Sequence, residues 1–223
     1  MRPNEVRTLR GPVLRRGDET SRRIGGYALK FNRLSQNLGG FVERIDPGFP
    51  AKSEADGWPG VMARWNHEDA YLLGTTAGET LRLVVDGTGV DYEVDLPTAR
   101  GDLLELVARG DVTQSSFAFQ LIEDDWGLTD DGFPMRTLLS GRIVDVAPAN
   151  APAYLDTSTG LRTLAAKFHA EESEVRALAD AGDLLRLFRR TDTTPTDSPP
   201  DPAAESTDPG GVQSLRRRLE LSR

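Results

Sequence analysis

The amino-acid sequence predicts a β-rich α+β domain that is followed by an acidic, proline-rich tail. Apolar and polar residues alternate over 81–97 and again over 115–123, as in strands with one buried face. Residues 99–111 instead have the apolar spacing of a short amphipathic helix. Residues 191–210 contain no large apolar side chain, so they are not expected to contribute to a core.

Length and composition limit the classes of protein and of chemistry. The chain has 223 residues, a formal net charge of −8 and 38% hydrophobic residues, which suits one domain with tails. An acidic chain repels phosphate backbones, so no nucleic-acid partner is expected. The absence of cysteine excludes disulfides, thiolate nucleophiles and cysteine-bound zinc. Neither a run of about 18 apolar residues nor a signal peptide occurs, which predicts a soluble, intracellular protein without a membrane partner.

The first sixty residues predict two extended segments. Residues 1–20 are charged and have little periodicity, so we treat them as a separate N-terminal segment. After Ser21, residues 22–32, RRIGGYALKFN, have β-forming residues around a Gly-Gly pair and predict the first strand. Residues 41–49, FVERIDPGF, predict a second extended segment, and residues 51–60, AKSEADGWPG, predict a loop.

The middle of the chain predicts a hairpin, a helix and further strands. Residues 81–97 form the hairpin, with DGTG as the turn and glycines free to take positive φ. The helix in 99–111 is expected to end at Gly110. The segment 115–123 predicts a strand with its phenylalanines on one face, and 135–149 predicts one or two strands more.

The last third of the chain predicts helix, linker and peptide in turn. We place a domain at 21–165 and a helical segment at 166–190, with Gly182 as a weak point of its helix. Residues 191–210 hold five prolines and five acids, and are expected to be a disordered linker. Residues 211–223 are a basic peptide with Leu215, Leu219 and Leu221, too short for a stable isolated helix.

Hydrolysis by a serine is the chemistry that this composition leaves open, since no phosphate-binding glycine loop or convincing metal cluster occurs and no cofactor is expected. A serine hydroxyl attacks well only when a base takes its proton, and neutral imidazole suits that task near pH 7. Of the two histidines, His169 is expected at the surface, whereas His67, in RWNHED, lies inside the domain. The residues alone leave open whether His67 is catalytic or structural, and whether Ser115 or Ser116 is its partner.

Three further features of the sequence bear on possible chemistry. The G-x-S-x-G elbow of the α/β-hydrolases is missing, which argues against a lipase or esterase of that kind. Asp145, in RIVDVAPA, is by itself a carboxylate at a strand end or turn. Glu68 and Asp69 follow His67 directly, but adjacent side chains point in different directions and make a poor metal site.

Several segments occur in an order that resembles one known family. They are IGGYALKFN, FVERIDPGF, WNHED, LGTTAGETLRLVVDGTGVDYEVDLP, DLLELVARGDVTQSSFAF and DVAPANAPAYLDT, and they cover roughly residues 20–160. The chain is thereby similar to the prohead proteases of tailed bacteriophages, serine peptidases whose fold is similar to that of herpesvirus assemblin. The resemblance implies an assemblin-like β-barrel core with a few surrounding helices.

The resemblance also implies the site residues. The family's histidine falls on His67, its nucleophile on Ser116, with Ser115 at a position that is usually methionine, and its acid on Asp145. Two positions depart from the family's pattern, because Ala118 replaces a glycine and Ala147 replaces a serine. Neither change removes a catalytic group.

Function and partners follow from the resemblance. It implies an endopeptidase that cuts the scaffold segment and the major capsid protein, and itself, inside the immature capsid in the host cytoplasm. The tail peptide would bind coat or scaffold as a packaging handle, or have no function. An inactive assembly component of the same fold is the alternative, and whether the chain forms a homo-oligomer is left open.

Overall fold

The computed structural model describes residues 4–9, 14–16, 21–150 and 158–190. The predicted linker at 191–210 and the predicted tail peptide at 211–223 lie outside the described residues. Within them, the chain forms ten strands and five α-helices, in the order β1 (Glu5–Thr8), β2 (Leu14–Arg16), β3 (Arg23–Lys30), β4 (Val42–Ile45), α1 (Ala51–Ala55), β5 (Met62–Arg64), β6 (Leu72–Thr75), β7 (Leu81–Val85), β8 (Gly89–Asp95), α2 (Asp102–Arg109), β9 (Gln114–Leu128), β10 (Pro134–Ala149), α3 (Ser158–Lys167), α4 (Glu172–Asp180) and α5 (Leu185–Arg190).

The strands form two sheets. The first has the order β1-β9-β10-β5-β6, and β4 also pairs with β10. Both β4 and β5 run parallel to β10, one near each of its ends. The second sheet is antiparallel, with the order β2-β3-β8-β7. The fold is therefore the strand-rich α+β class that was predicted. In the part of the chain that the structure describes, no strand pair joins the two sheets, so the closed barrel implied by the resemblance is not found there.

Two apolar clusters stabilise this arrangement. The larger lies between the sheets and includes Leu29 and Tyr92 from the second sheet and Phe117 and Phe119 from β9. The smaller lies under α3, α4 and α5, where helix side chains cover Trp126 of β9. Because the long β9–β10 hairpin contributes to both clusters, it connects the sheets to the C-terminal helices.

The predicted hairpin is confirmed, but its glycines are used differently. Strands β7 and β8 pair antiparallel, and Asp86 Oδ1 accepts hydrogen bonds from the N–H groups of Thr88 (2.7 Å) and Gly89 (3.0 Å) in the turn. Neither Gly87 nor Gly89 has a positive φ, so that expectation is wrong. Glycine is required at 89 because a Cβ there would lie 2.0 Å from the Leu29 carbonyl oxygen.

Helix α2 confirms the prediction for residues 99–111. It buries Leu103 and ends at Gly110, whose φ of 80° is the left-handed conformation common after helix ends. The predicted strand at 115–123 is part of the longer β9, and 135–149 is one strand, β10, interrupted by bulges.

The N-terminal third contains a helix and a strand that the sequence did not predict. Residues 51–60 are not only a loop, since α1 occupies the first half. Lys52 pairs with Asp56 one turn later (2.7 Å), and buried Ser53 accepts a hydrogen bond from the Ile143 N–H. The other element is β1, an edge strand of the first sheet that is held by buried ion pairs of Glu5 and Arg7.

The predicted C-terminal helix is divided in two. Helices α4 and α5 are separated at Gly182, whose φ is 68°, as its low helix propensity suggested. Helix α3, which the sequence did not predict, crosses the expected domain boundary at residue 165. Of the described helices, none is long and apolar enough to cross a membrane.

Candidate functional site

His67, Ser116 and Asp145 lie together on one face of the first sheet. The His67 Nε2 atom is 2.7 Å from Ser116 Oγ, and the His67 Nδ1 atom is 2.5 Å from Asp145 Oδ1. A carboxylate only accepts hydrogen bonds, so Nδ1 carries the hydrogen and Nε2 is left as the acceptor for the serine hydroxyl. The group is shielded from water, because Ser116 is 0% and Asp145 2% exposed. The three side chains form a carboxylate–imidazole–hydroxyl chain.

Strand alternation separates the two candidate serines. Ser116 lies opposite Ala147 of β10 and faces His67. Ser115 points to the other face, into the main core, where its hydroxyl is 3.3 Å from the Tyr92 hydroxyl. Only Ser116 therefore meets the imidazole.

A β-bulge brings Asp145 to the same face as Ser116. On β10, Ile143 lies opposite Phe119, whereas Asp145 lies opposite Ala118, so one extra residue is inserted between them. Without it, Asp145 would lie opposite Phe117 and point into the core. With it, the carboxylate shares the face of Ala118 and, two residues along, of Ser116.

The two alanines that depart from the family's pattern lie in the same layer. Ala118 is opposite Asp145 and Ala147 is opposite Ser116, and both are nearly fully buried. The contacts between the catalytic candidates are made with both methyl groups in place.

A strained turn carries His67. Strand β5 leads into a single 3₁₀ turn, Trp65–His67, in which Asn66 (φ 50°) and His67 (φ 63°) both have left-handed backbones. Such conformations are uncommon outside glycine, and cluster where function constrains the backbone. The Asn66 side-chain oxygen accepts a hydrogen bond from the Asn150 N–H (3.2 Å), which ties the turn to the end of β10. The turn directs the imidazole back over the sheet. The other histidine, His169, is exposed, as expected.

The N-terminal strand supplies two contacts to Ser116 that sequence reasoning missed. The Thr8 hydroxyl lies 3.1 Å from Ser116 Oγ, and the Arg7 carbonyl oxygen accepts a hydrogen bond from the Ser116 hydroxyl at 2.9 Å. The single serine proton thus has two acceptors in reach, Arg7 O and His67 Nε2. Thr8 donates to the serine oxygen and leaves that proton free for either acceptor. No motif in the sequence marks Arg7 or Thr8.

Buried ion pairs hold this strand in place. The Arg7 guanidinium binds Glu43 (2.7 Å) and Glu5 (2.8 Å), and the Arg136 guanidinium binds Glu5 (2.7 Å), Glu43 (3.0 Å) and Asp124 (2.6 Å). Burial alone would lower the pKa of Arg136, but its hydrogen bond to Glu5 and the charges of Glu43 and Glu5 raise that pKa above its ordinary value. Arg136 therefore stays a cation and links β1, β4 and β10.

Asp145 has a second partner that sequence reasoning also missed. Its Oδ2 atom accepts a hydrogen bond from Arg64 Nη1 at 3.1 Å, while Oδ1 faces His67. Asp69 does not contact the imidazole but pairs with Arg64 at 3.0 Å. Both ring nitrogens of His67 thus have hydrogen-bond partners, Asp145 at Nδ1 and Ser116 at Nε2.

The sequence also matches a known protein family. The family described as caudovirus prohead serine protease matches residues 12–172, which is well over half of the chain. Neither the curated proteins nor the solved structures that were compared with the chain gave a match. The matched range contains His67, Ser116 and Asp145 but not β1. The chain therefore belongs to the caudovirus prohead serine protease family.

Proposed function

We propose that this protein is an active serine endopeptidase of capsid maturation, with Ser116 as nucleophile, His67 as general base and Asp145 as the residue that orients and stabilises the imidazole. The observation that carries the proposal is the pair of short contacts through His67, from Asp145 Oδ1 to Nδ1 and from Nε2 to Ser116 Oγ. A catalytic serine and base require this mutual arrangement, with a third group that orients the base. Membership of a serine peptidase family adds independent support.

The proposed reaction follows from the proton positions. Ser116 Oγ attacks the scissile carbonyl carbon as its proton passes to His67 Nε2, and Asp145 stabilises the imidazolium. When the C–N bond breaks, His67 returns the proton to the leaving amine. Water then attacks the acyl-serine, with His67 again as base, and the second product leaves with a new carboxylate. Before attack, the Ser116 hydroxyl must turn from the Arg7 carbonyl to His67.

The family sets the place and partners of this activity. A prohead protease acts inside the procapsid on capsid components, so we propose the major capsid protein and the scaffold segment as substrates, and the chain itself as a further one. An assemblin-like barrel and a packaging role for 211–223 are parts of the same proposal. Deletion of residues 191–223 tests the packaging role. Unchanged incorporation of the shortened protease into proheads would exclude that role.

The decisive experiment compares wild type with Ser116→Ala and His67→Ala in cells that also make the coat protein of the same phage. Intact-mass measurement should find shortened coat protein, and shortened protease, with wild type alone. Ser115→Ala is the matched control, because this neighbouring hydroxyl faces Tyr92 and not His67. It should cut as wild type does.

A second measurement needs no substrate. The purified chain should react with a fluorophosphonate, in which the serine oxygen displaces fluoride from phosphorus, and the label should map to Ser116. Equal behaviour of wild type, Ser116→Ala and His67→Ala in both measurements would support the inactive assembly component instead.

A further inference from the structure

Arg64 binds the oxygen of Asp145 that His67 does not use. Its Nη1 atom lies 3.1 Å from Asp145 Oδ2, and its Nη2 atom is 3.2 Å from the Met62 sulfur. The Asp145 side chain is 3% exposed, so its charge has little help from water. A buried carboxylate without a partner is costly, and a neutral imidazole at Oδ1 does not compensate it. Arg64 is the cation that the described contacts place on this carboxylate.

The fold places Arg64 and His67 in one short unit. Met62 lies opposite Asp145 in the parallel pair of β5 and β10. Arg64, two residues later, shares the face of Met62, and the turn with His67 begins at the next residue. One strand end and its turn therefore supply both partners of Asp145, and Arg64 sets the rotation of the carboxylate that receives the imidazole N–H.

Asp69 gives this arrangement a particular charge. Its carboxylate is 88% exposed and lies 3.0 Å from Arg64 Nη1, the same atom that binds Asp145. When His67 is neutral, the formal charges of Arg64, Asp69 and Asp145 sum to −1. When His67 takes the serine proton, the set becomes neutral. Arg64 alone would oppose that protonation, and Asp69 offsets it.

Other elements around the imidazole add no further charge to this set. Ser116 and Ala118 of β9 are uncharged, and so is Thr8 of β1. The Arg7 guanidinium is bound to Glu5 and Glu43, and only its carbonyl faces Ser116. Glu68, next to His67 in the chain, has no ion pair among the described residues.

We propose that Arg64 is a positioning residue of the site, which orients Asp145, and that Asp69 balances its charge. The inference rests on the proposed peptidase activity. It assigns a role in proton transfer to two residues that otherwise form an ordinary ion pair near the surface. A merely structural pair would affect stability and leave the pH dependence of the serine reaction unchanged.

The test measures the rate of fluorophosphonate labelling of Ser116 against pH, together with the thermal unfolding midpoint. Arg64→Gln should label about tenfold more slowly at the optimum, as expected for loss of a charged hydrogen bond that orients the acid. The acidic limb of its rate–pH profile should move to higher pH, because removal of the cation favours the imidazolium form of His67. Asp69→Asn should move that limb to lower pH, and Arg64→Lys should recover most of the rate. Arg142→Gln, a β10 arginine paired with Asp56, is the control and should match wild type.

The outcomes separate this inference from the proposal on which it rests. Wild type without label at Ser116 would overturn the peptidase and the inference together. A second outcome would overturn the role of Arg64 and Asp69 alone. In it, wild type is labelled and Ser116→Ala is not, but the acidic limbs of Arg64→Gln and Asp69→Asn coincide with that of wild type. If Arg64→Gln fails to fold, the Asp69→Asn profile decides, since that side chain is exposed.

Discussion

Thr8 lies directly opposite Ser116 in the antiparallel pair of β1 and β9, and the two hydroxyl oxygens are 3.1 Å apart across 108 residues of sequence. The carbonyl oxygen of Arg7, the next residue towards the N-terminus, accepts a hydrogen bond from the Ser116 hydroxyl. The N-terminal strand is thus one wall of the candidate site. Its ion pairs to Glu43 and Arg136 make it part of the folded domain.

Thr8→Val tests whether this contact matters for reactivity. The change removes the hydroxyl that donates to Ser116 Oγ but keeps the branched shape of the side chain. We expect labelling by a fluorophosphonate to slow about fivefold, the worth of one neutral hydrogen bond. Thr8→Ser keeps the donor and should react at nearly the wild-type rate. Equal rates for Thr8→Val and wild type would show that the hydroxyl has no part in positioning the serine.

Asp145→Asn tests the acid of the proposed triad. An amide has no charge with which to stabilise the imidazolium, and its NH₂ group favours the wrong imidazole tautomer. The rate of fluorophosphonate labelling of Ser116 should therefore fall by about 10³–10⁴-fold, as activity does in other triads. Asp125→Asn is the matched control, because Asp125 pairs with Lys167 at the surface, far along β9. A loss of less than tenfold in Asp145→Asn would contradict the assigned role.

Arg136→Met tests the buried ion pairs. The guanidinium is 0% exposed, and its removal leaves the carboxylates of Glu5, Glu43 and Asp124 with one cation fewer. Breaking a buried pair in this way should lower the free energy of unfolding by about 3–5 kcal/mol. Urea denaturation measures the change. The exposed pair of Arg162 and Glu172 supplies the comparison, and Arg162→Met should lower the free energy by less than about 1 kcal/mol. Similar losses of unfolding free energy in both variants would show that the buried ion pairs stabilise the fold no more than the exposed pair does.

Gly141→Ala tests the packing of Phe49, which precedes α1, against β10. A Cβ at this position would lie 2.3 Å and 2.4 Å from two ring carbons of Phe49, which is itself buried in the main core. The ring must shift, so we expect a loss of about 1–3 kcal/mol of unfolding free energy. Gly127→Ala is the control on the other strand of the same hairpin, since nothing lies within 4 Å of its added methyl. Thermal unfolding should give Gly141→Ala a lower midpoint than Gly127→Ala. Equal midpoints would contradict the close contact of Gly141 with Phe49.

Elements with a local signal were the ones that sequence reasoning predicted well. The hairpin of β7 and β8, helix α2 with its end at Gly110, and the alternation in β9 each follow from spacing within about ten residues. Helix α1 and strand β1 were missed, because each is stabilised by partners far away in the sequence. Ser53 of α1 meets Ile143, and Arg7 of β1 meets Glu43.

The sequence by itself singled out three side chains of the candidate site, but not Arg7, Thr8 or Arg64. Ordered motifs single out His67, Ser116 and Asp145, and strand alternation assigns Ser115 and Ser116 to opposite faces. Only the tertiary structure decided how these side chains meet. The bulge before Asp145, the left-handed turn at Asn66 and His67, and the pairing of Thr8 with Ser116 all depend on packing between distant segments. A shift of one residue in strand register moves a side chain to the other face of the sheet, and no local pattern specifies such a shift.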